Sequence, residues 1–411
     1  MNHVGSLPSR NGDILNGHFG ILQILVVKKK EGFTMKAYIR KIVVLFLAAA
    51  MASALALPAV ASGANLTPAE KAHLTFDDDG NFRILILADM QDDALRSLAC
   101  ANFMRRAARE CSPDLVVLLG DIIMGMPDPV LNILRMQEVM NCFIGAGVPV
   151  AAVFGNHEME RGKPTKETLM KVINAYPYSI SYDEGDALYG CGTYNIPIYE
   201  SAESDKVGVN LFMIDSGDYD KEHGGYDYVH EDQIRWFCDK SNELALQNGG
   251  KQVPSFVFQH IIVPEIYDAL KEVPEGTVGA VSRGGKYYVL PDDAAPGSKL
   301  GEGPAPGTYN AGEFETMRKQ GNVRAMFFGH DHTNSFVVPY QGIDFVATAA
   351  CGYRSYGDPA TRGARLVDIK SDGSYETSTI LYGELFKNNP VMLFIEKIDI
   401  YIWELLDKLF F

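Results

Sequence analysis

Five short apolar runs, each stopping at a residue with a polar or metal-binding side chain, constrain this chain more than any other feature. Residues 82–88 end at Asp89, 114–119 lead into Gly120-Asp121, and 148–154 lead into Gly155-Asn156-His157-Glu158. Residues 254–258 lead into Gln259-His260, and Val323–Phe328 leads into Gly329-His330-Asp331-His332. Runs this short and this continuously apolar suit strands covered on both faces. Helical stretches at 93–109 and about 129–146 separate the first three, so the chain reads strand, helix, strand, helix, strand. In open α/β sheets the carboxyl ends of parallel strands converge on the crevice where ligands bind, so residues distant in sequence can meet there.

The rest is less regular. A strand is expected at 207–214, a helix at 230–246, and shorter strands at about 335–339, 343–348, 363–369 and 375–381. Residues 273–310, rich in Gly, Pro and Asp, are too long for a simple connector and read as a lid or a disordered insertion. The tail, 388–411, opens on Asn388-Asn389-Pro390, and Pro suits a first helical turn. It is expected to be an amphipathic helix with Val391, Phe394, Ile395, Ile398, Ile402, Leu405, Leu406 and Leu409 on one face. Its charges sum to −2, which favours packing on the domain or self-association over weak membrane contact.

The N-terminus has a different character. Residues 35–41 are basic, 42–60 are apolar, and Ala59-Val60-Ala61 supplies small residues, the pattern of a secretory signal with cleavage after Ala61. Residues 1–34 then form an upstream extension without expected structure. The alternative is an uncleaved membrane anchor, since the apolar stretch is long enough to span a bilayer. The chain carries a net charge of −15, and residues 1–61 carry seven basic and two acidic side chains, so the remainder stands near −20. An acidic, secreted or extracytoplasmic protein is expected, with no nucleic-acid-binding surface. Cys100, Cys111, Cys142, Cys191, Cys238 and Cys351 show no CxxC spacing, which argues against a structural zinc site. Export permits disulfides, and buried free thiols are the alternative.

The strand-end residues are of the types that hold metal. Hard divalent ions prefer carboxylate and amide oxygen, and Zn, Fe and Mn also take imidazole, so Asp89, Asp121, Asn156, His260, His330 and His332 together suit a pair of ions. Two ions about 3.5 to 4 Å apart bind phosphoryl oxygens and activate water. Gly before Asp121, Asn156 and His330 permits sharp turns and close backbone approach. Taken singly, each residue has a plainer reading as a helix cap, a turn or a structural histidine. His73, His223 and His230 are read as surface or loop residues.

The set Asp89, Gly120-Asp121, Gly155-Asn156-His157-Glu158, His260 and Gly329-His330-Asp331-His332 resembles the signature blocks of the calcineurin-like metallophosphoesterases. Ile214 to Tyr219, Gln259 to Glu265 and Cys351-Gly352-Tyr353 are similar to the purple-acid-phosphatase-like branch. The resemblance spans residues 82 to about 369 and implies an α/β fold: a four-layer α-β-β-α sandwich of two mixed sheets over about 74–383, with a dinuclear metal site at the strand C-terminal ends. It implies two divalent ions (Mn, Fe or Zn) and hydrolysis of a phosphorylated small molecule or diester by metal-bound hydroxide. By carry-over, Asp121 bridges the metals, Asp89 and His332 hold the first, and Asn156, His260 and His330 hold the second. His157 stands by the leaving group as proton donor or charge stabiliser, held by Glu158 where the family more often has Asp. Two departures matter. Asp89-Met90-Gln91 replaces the usual Asp-x-His, so Gln91 offers an amide oxygen to the first metal or leaves that place to water, shifting its preference towards Mn or Mg. Met124 stands where purple phosphatases have their colour-giving Tyr, so a colourless protein is expected. The alternative function is a phospho-ligand binder with a degenerate first site. Arg283, Arg354 and Arg362 are candidate phosphate contacts or plain surface arginines.

Overall fold

The computed structural model describes residues 66–91, 97–185 and 187–410. The chain divides into Met1–Gly63 and Ala64–Phe411, and all the elements named below belong to the second unit. The expected extension and signal lie outside the described residues.

The elements run α1 (Pro68–Ala72), β1 (Asn81–Leu87), α2 (Leu98–Glu110), β2 (Leu115–Leu119), α3 (Pro129–Met140), β3 (Val150–Val153), α4 (Lys166–Ile173), β4 (Tyr194–Tyr199) and β5 (Val207–Met213). They continue with α5 (Glu231–Gln247), β6 (Ser255–Phe258), α6 (Ile266–Ala269), β7 (Lys271–Val273), β8 (Val281–Arg283), β9 (Lys286–Val289), α7 (Glu313–Gln320) and β10 (Val323–Phe328). β11 (Val337–Tyr340), β12 (Ile343–Ala347), β13 (Gly363–Lys370), β14 (Tyr375–Leu381), α8 (Tyr382–Leu385) and α9 (Pro390–Phe410) complete the chain.

Two large mixed sheets result, ordered β14-β13-β1-β2-β3 and β11-β12-β10-β6-β5-β4. Within them β1, β2 and β3 run parallel, as do β5, β6, β10 and β12. The period-2 geometry of a strand divides each run between two cores. Ile84 and Ile86 of β1 pack with Phe256, Phe258 and Phe327 of the second sheet in the layer between the sheets. Leu85 and Leu87 face outward against Ala99, Phe103 and Met104 of α2. The outer face of the second sheet is covered by α5, α6 and α7 through Phe237, Ile266, Phe314 and Met317. Helix, sheet, sheet and helix thus form four layers, as the resemblance implied, and double-sided burial is why the strands read as unbroken apolar runs.

Several boundaries differ from those expected of the sequence. The second helix stops at Met140 rather than about 146, since Gly145 and Gly147 follow and Gly147 has φ +64°. β4, Tyr-Asn-Ile-Pro-Ile-Tyr, adds a strand to those expected, and it accommodates Pro197 because it is an edge strand, where a missing N–H is tolerated. The stretch at 273–310 is neither a bare lid nor a disordered insertion. Its first part joins Lys271–Val273 in an antiparallel sheet ordered β7-β9-β8. The rest is pinned to the loop after β10, where Ala305 N donates to Asp331 Oδ1 at 3.1 Å and Thr333 N donates to Glu302 Oε1 at 2.8 Å. No disulfide is formed among the described residues, and the Sγ atoms of Cys100 and Cys351 stand 3.9 Å apart.

The C-terminal helix α9 docks on the domain by a face that shares Ile395 with the expected one but is otherwise rotated from it. Met392, Leu393, Ile395 and Ile400 pack against the outer core of the first sheet. Asp399 is buried among them, taking hydrogen bonds from Ser97 Oγ (3.0 Å) and Ala99 N (2.8 Å) and pairing with Arg354 Nη2 at 2.9 Å. Arg354 is therefore no surface arginine. The expected apolar stripe through Val391, Phe394, Ile398 and Leu405 is left exposed, because the helix is apolar on nearly every side and the buried ion pair sets its rotation. Among the described residues no helix is long and apolar enough to cross a membrane.

These buried charges govern how stability responds to mutation and to pH. Breaking a buried pair leaves its partner uncompensated and costs about 3 kcal/mol or more, so Asp399→Ala is expected to lower urea-unfolding stability by that amount. Glu313 is buried, and burial raises its carboxyl to about 8 from 4.5, with the adjacent Gln259 amide only partly opposing. The folded state thus holds a proton that the unfolded chain releases above pH 4.5, and stability falls as pH rises from there to about 8. Glu313→Gln should remove that slope, so its advantage over the parent grows across this window and then levels off.

Candidate metal centre

The five strand ends meet at one edge of the two sheets. Asp89 follows β1, Asp121 follows β2, Asn156 follows β3, His260 follows β6, and His330 and His332 follow β10. All six side chains, with Gln91, are buried. Two sets have ligand atoms within 4.8 Å of one another: Asp121, His260 and His330 in one, Asp89, Asp121 and His332 in the other. Asp121 belongs to both.

The backbone is bent to make this possible. Asp89, Asp121 and His330 take left-handed conformations, with φ of 52°, 48° and 71°, which cost non-glycine residues on the order of 1–3 kcal/mol each and cluster at functional sites. Gly120 has φ +83°, and a Cβ there would strike the His260 ring; at Gly155 a Cβ would strike the Asp121 carboxylate.

Neighbouring groups aim the ligands. His260 Nδ1 lies 2.9 Å from the Leu119 carbonyl and His332 Nδ1 lies 2.8 Å from that of Tyr356. With those nitrogens donating, each Nε2 lone pair faces the carboxylates: His260 Nε2 stands 3.2 Å from Asp121 Oδ2, and His332 Nε2 stands 3.5 Å from Asp89 Oδ1. The His332 ring is also stacked on Tyr356 at 4.1 Å, and Tyr226 meets His330 edge-on at 4.3 Å. Asn156 Nδ2 donates to Tyr219 Oη at 3.3 Å, which turns Asn156 Oδ1 the other way. Asp89 accepts from His330 N at 3.1 Å, and Asp121 Oδ1 accepts from His157 N at 2.9 Å.

Four buried atoms of the cluster, Gln91 Oε1, Asn156 Oδ1, His260 Nε2 and His330 Nε2, lack a hydrogen-bond partner among the described residues. Buried polar atoms are seldom left so, and oxygen and imidazole nitrogen beside shared carboxylates are donors that Mn, Fe or Zn accept. The electrostatics agree. Burial holds Asp89 well above the usual carboxylate range, with Asp121 and Asp331 adding to it while His260 opposes. His260 is raised to about 10 despite its burial, because Asp121 and Asp89 surround it. The cluster is short of positive charge, and the residues fit a pair of divalent ions. Gln91 turns its Nε2 inward, 3.3 Å from Asp121 Oδ2 and 3.1 Å from His332 Nε2. A half-turn of the amide exchanges nitrogen for oxygen at that place.

One expected contact is corrected. Glu158 does not hold His157: it turns inward, accepting from Ile122 N, from Ile123 N at 3.3 Å and from Gly155 N at 2.8 Å, and so braces the loops carrying Asp121 and Asn156. His157 Nδ1 lies 3.1 Å from Glu160 Oε1 instead, with Nε2 3.8 Å from Asp121 Oδ2. Burial disfavours the charged ring, but Glu160, Asp121 and Glu158 outweigh it and raise His157 to about 9. It is protonated at neutral pH and a quarter exposed. Glu160 sits three residues after His157, a spacing that could have marked it; Tyr219 closes the Ile214 to Tyr219 stretch noted above but had no role assigned, and Tyr226 and Tyr356 carried no signal of their own. Of the three arginines, Arg283 is exposed on β8, Arg354 is bound to Asp399, and Arg362 is buried over the Tyr353 ring at 4.7 Å.

Residues 82–334 match the calcineurin-like phosphoesterase family. The chain belongs to that family. It is a metallophosphoesterase of the purple-acid-phosphatase-like kind. Probable inactive purple acid phosphatase 28 of Arabidopsis thaliana is 31% identical over 332 residues, 72% of this chain and 77% of that protein. Probable inactive purple acid phosphatase 14 of the same plant is 28% identical over 334 residues, 73% and 78% of the two chains. Phosphatase DCR2 of Saccharomyces cerevisiae is 26% identical over 282 residues, 63% of this phosphoesterase and 45% of the yeast protein.

The two glutamates after His157 should separate experimentally. Glu158→Ala strands three buried backbone N–H groups and is expected to cost about 3 kcal/mol or more in urea unfolding. Glu160→Ala, at the partly exposed rim, should leave stability within about 0.5 kcal/mol while lowering the His157 pKa read by NMR titration.

Proposed function

We propose that this phosphoesterase hydrolyses phosphate esters at a two-metal centre in which Asp121 is shared. The reading rests on one observation above all: two ligand groups meet at a single buried carboxylate. In it, Asp89 and His332, with Gln91 through its amide oxygen, hold the first metal; Asn156, His260 and His330 hold the second. Such a pair supplies charge neutralisation at the phosphoryl oxygens and acidifies a water. His157, held by Glu160, is protonated at neutral pH and open to solvent, and it donates its proton to the departing oxygen. Tyr219 keeps Asn156 turned, and the Leu119 and Tyr356 carbonyls keep His260 and His332 in the required tautomer. The metals are Mn, Fe or Zn, with the Gln91 position favouring a harder ion such as Mn or Mg. Export is part of the proposal and rests on the signal pattern at 35–61 alone.

A second reading, a binder of phosphorylated ligands, draws support from Gln91 and from relatives named probable inactive phosphatases. Metal counting separates the two. Protein loaded with Mn or Zn is expected to carry two ions by elemental analysis and to cleave nitrophenyl phosphate or bis-nitrophenyl phosphate. Asn156→Ala should cut kcat/KM by roughly tenfold to hundredfold, and Gln91→His should tighten the first metal. Absence of hydrolysis with both substrates, with no effect of Asn156→Ala, would sink the enzyme reading; one ion or none would favour the binder.

A further inference from the structure

Arg365 is a buried cation that no carboxylate neutralises. It is 3% exposed and enters no ion pair among the described residues, whereas the equally buried Arg354 is held by Asp399. Its guanidinium meets neutral acceptors only. Nη1 donates to Thr377 Oγ1 at 3.2 Å, and Nη2 donates to Ser335 Oγ at 3.2 Å and to the Ala347 carbonyl at 2.7 Å. Nε is buried and donates to nothing among the described residues. Burial lowers the guanidinium to about 10, so it is still charged at neutral pH. A buried charge without a partner of opposite sign is strongly destabilising, and Arg365 serves no ligand of the metal centre.

The fold gives this cation a chamber. Alternate residues of β13, Val367 and Ile369, pack in the layer between the two sheets, and Arg365 continues that series. Where the layer reaches the β14 and β11 edges, a cavity of about 600 Å³ opens with Arg365 in its wall. Its other walls come from β14, β11, β12 and the loop 295–298, and none of the proposed metal ligands lines it. Hydroxyls surround the cation: Ser298, Ser335, Thr377 and Thr379 all line the cavity, and Thr379 stands opposite Arg365 in the β13–β14 register. Two carboxylates line it as well, but neither pairs with the arginine. Asp344 Oδ2 accepts from Tyr375 Oη at 2.6 Å, and Glu376 is exposed, on the face of β14 opposite to Thr377. A chamber of this size takes a small molecule, and a guanidinium with a free donor among hydroxyls suits an oxyanion.

We propose that this cavity is a second ligand site, separate from the metal centre, in which Arg365 and the hydroxyls around it bind the oxyanion group, phosphate or carboxylate, of a small molecule.

Isothermal titration calorimetry of the metal-loaded full chain tests this, with inorganic phosphate in one arm and acetate in the other. At least one of the two anions is expected to bind at a place that Arg365→Met weakens about a hundredfold or more. Thr379→Trp, which fills the chamber and leaves the cation in place, should weaken the same binding, and Asn156→Ala at the metal centre should leave it unchanged. A failure of the hydrolysis reading and a failure of this one are therefore separate results. Binding of phosphate alone assigns the site to a tetrahedral oxyanion, and binding of acetate alone assigns it to a carboxylate. Thermal unfolding gives a second readout: the bound anion should raise the melting temperature of the parent and not that of Arg365→Met. Absence of binding by both anions overturns the proposal, as does binding that Asn156→Ala removes entirely. Binding indifferent to Arg365→Met, or to Thr379→Trp should the first variant fail to fold, overturns it too and leaves Arg365 as a tie between Ser335, Ala347 and Thr377.

Discussion

Asp121 is the point on which the rest of the structure depends. A carboxylate shared between two ligand groups must be buried, reached from both sheets and kept ionised, and each demand shapes part of the chain. Burial comes from the close approach of Gly155, which has no side chain to keep that loop away. Access from both sheets comes from β2 and β3 on one side and β6 and β10 on the other, all ending at the same edge. Ionisation is favoured by His260 and His157, which hold Asp121 below the usual carboxylate range against the effect of burial. The left-handed residues at Asp89, Asp121 and His330 are the local cost of that convergence.

Much of this was legible in sequence because it stems from two periodic facts. Strands buried on both faces read as continuous apolar runs, and parallel strands end at one edge, so the residues after each run meet there. A doubly covered α/β sheet and the ligand cluster were therefore within reach, whereas the four-layer arrangement of two sheets came from the family resemblance and not from the pattern. Glu158 was not. Nothing local distinguishes a glutamate that caps His157 from one that braces two loops, because its three donors, at Ile122, Ile123 and Gly155, belong partly to another strand end. The segment after β9 was illegible for a similar reason: its order comes from side-chain contacts to the loop after β10, through Glu302 and Asp331, and not from any periodicity of its own.

The tail shows where hydrophobic pattern alone misleads. A stripe chosen by apolar spacing assumes that the largest apolar face is the one that docks. In α9 apolar residues surround the axis, and the decision falls to Asp399, which in water has no reason to be buried and in the fold has three partners to justify it. A single ion pair outweighs a small difference in apolar area because an unpaired buried charge costs several kcal/mol, more than exchanging one isoleucine or phenylalanine for another.

That anchor also lies beside the metal centre. One loop connects the two: Ala350 N donates to the His332 carbonyl, Cys351 N to that of Ala88 and Gly352 N to that of Asp89. Two residues on, Arg354 grips Asp399, and Tyr356 supplies the carbonyl that faces His332. The backbone that positions Asp89 and His332 is thus the backbone that seats the C-terminal helix. Its backbone groups are paired at the ligand loops while its arginine is paired at the helix, so the same segment braces both.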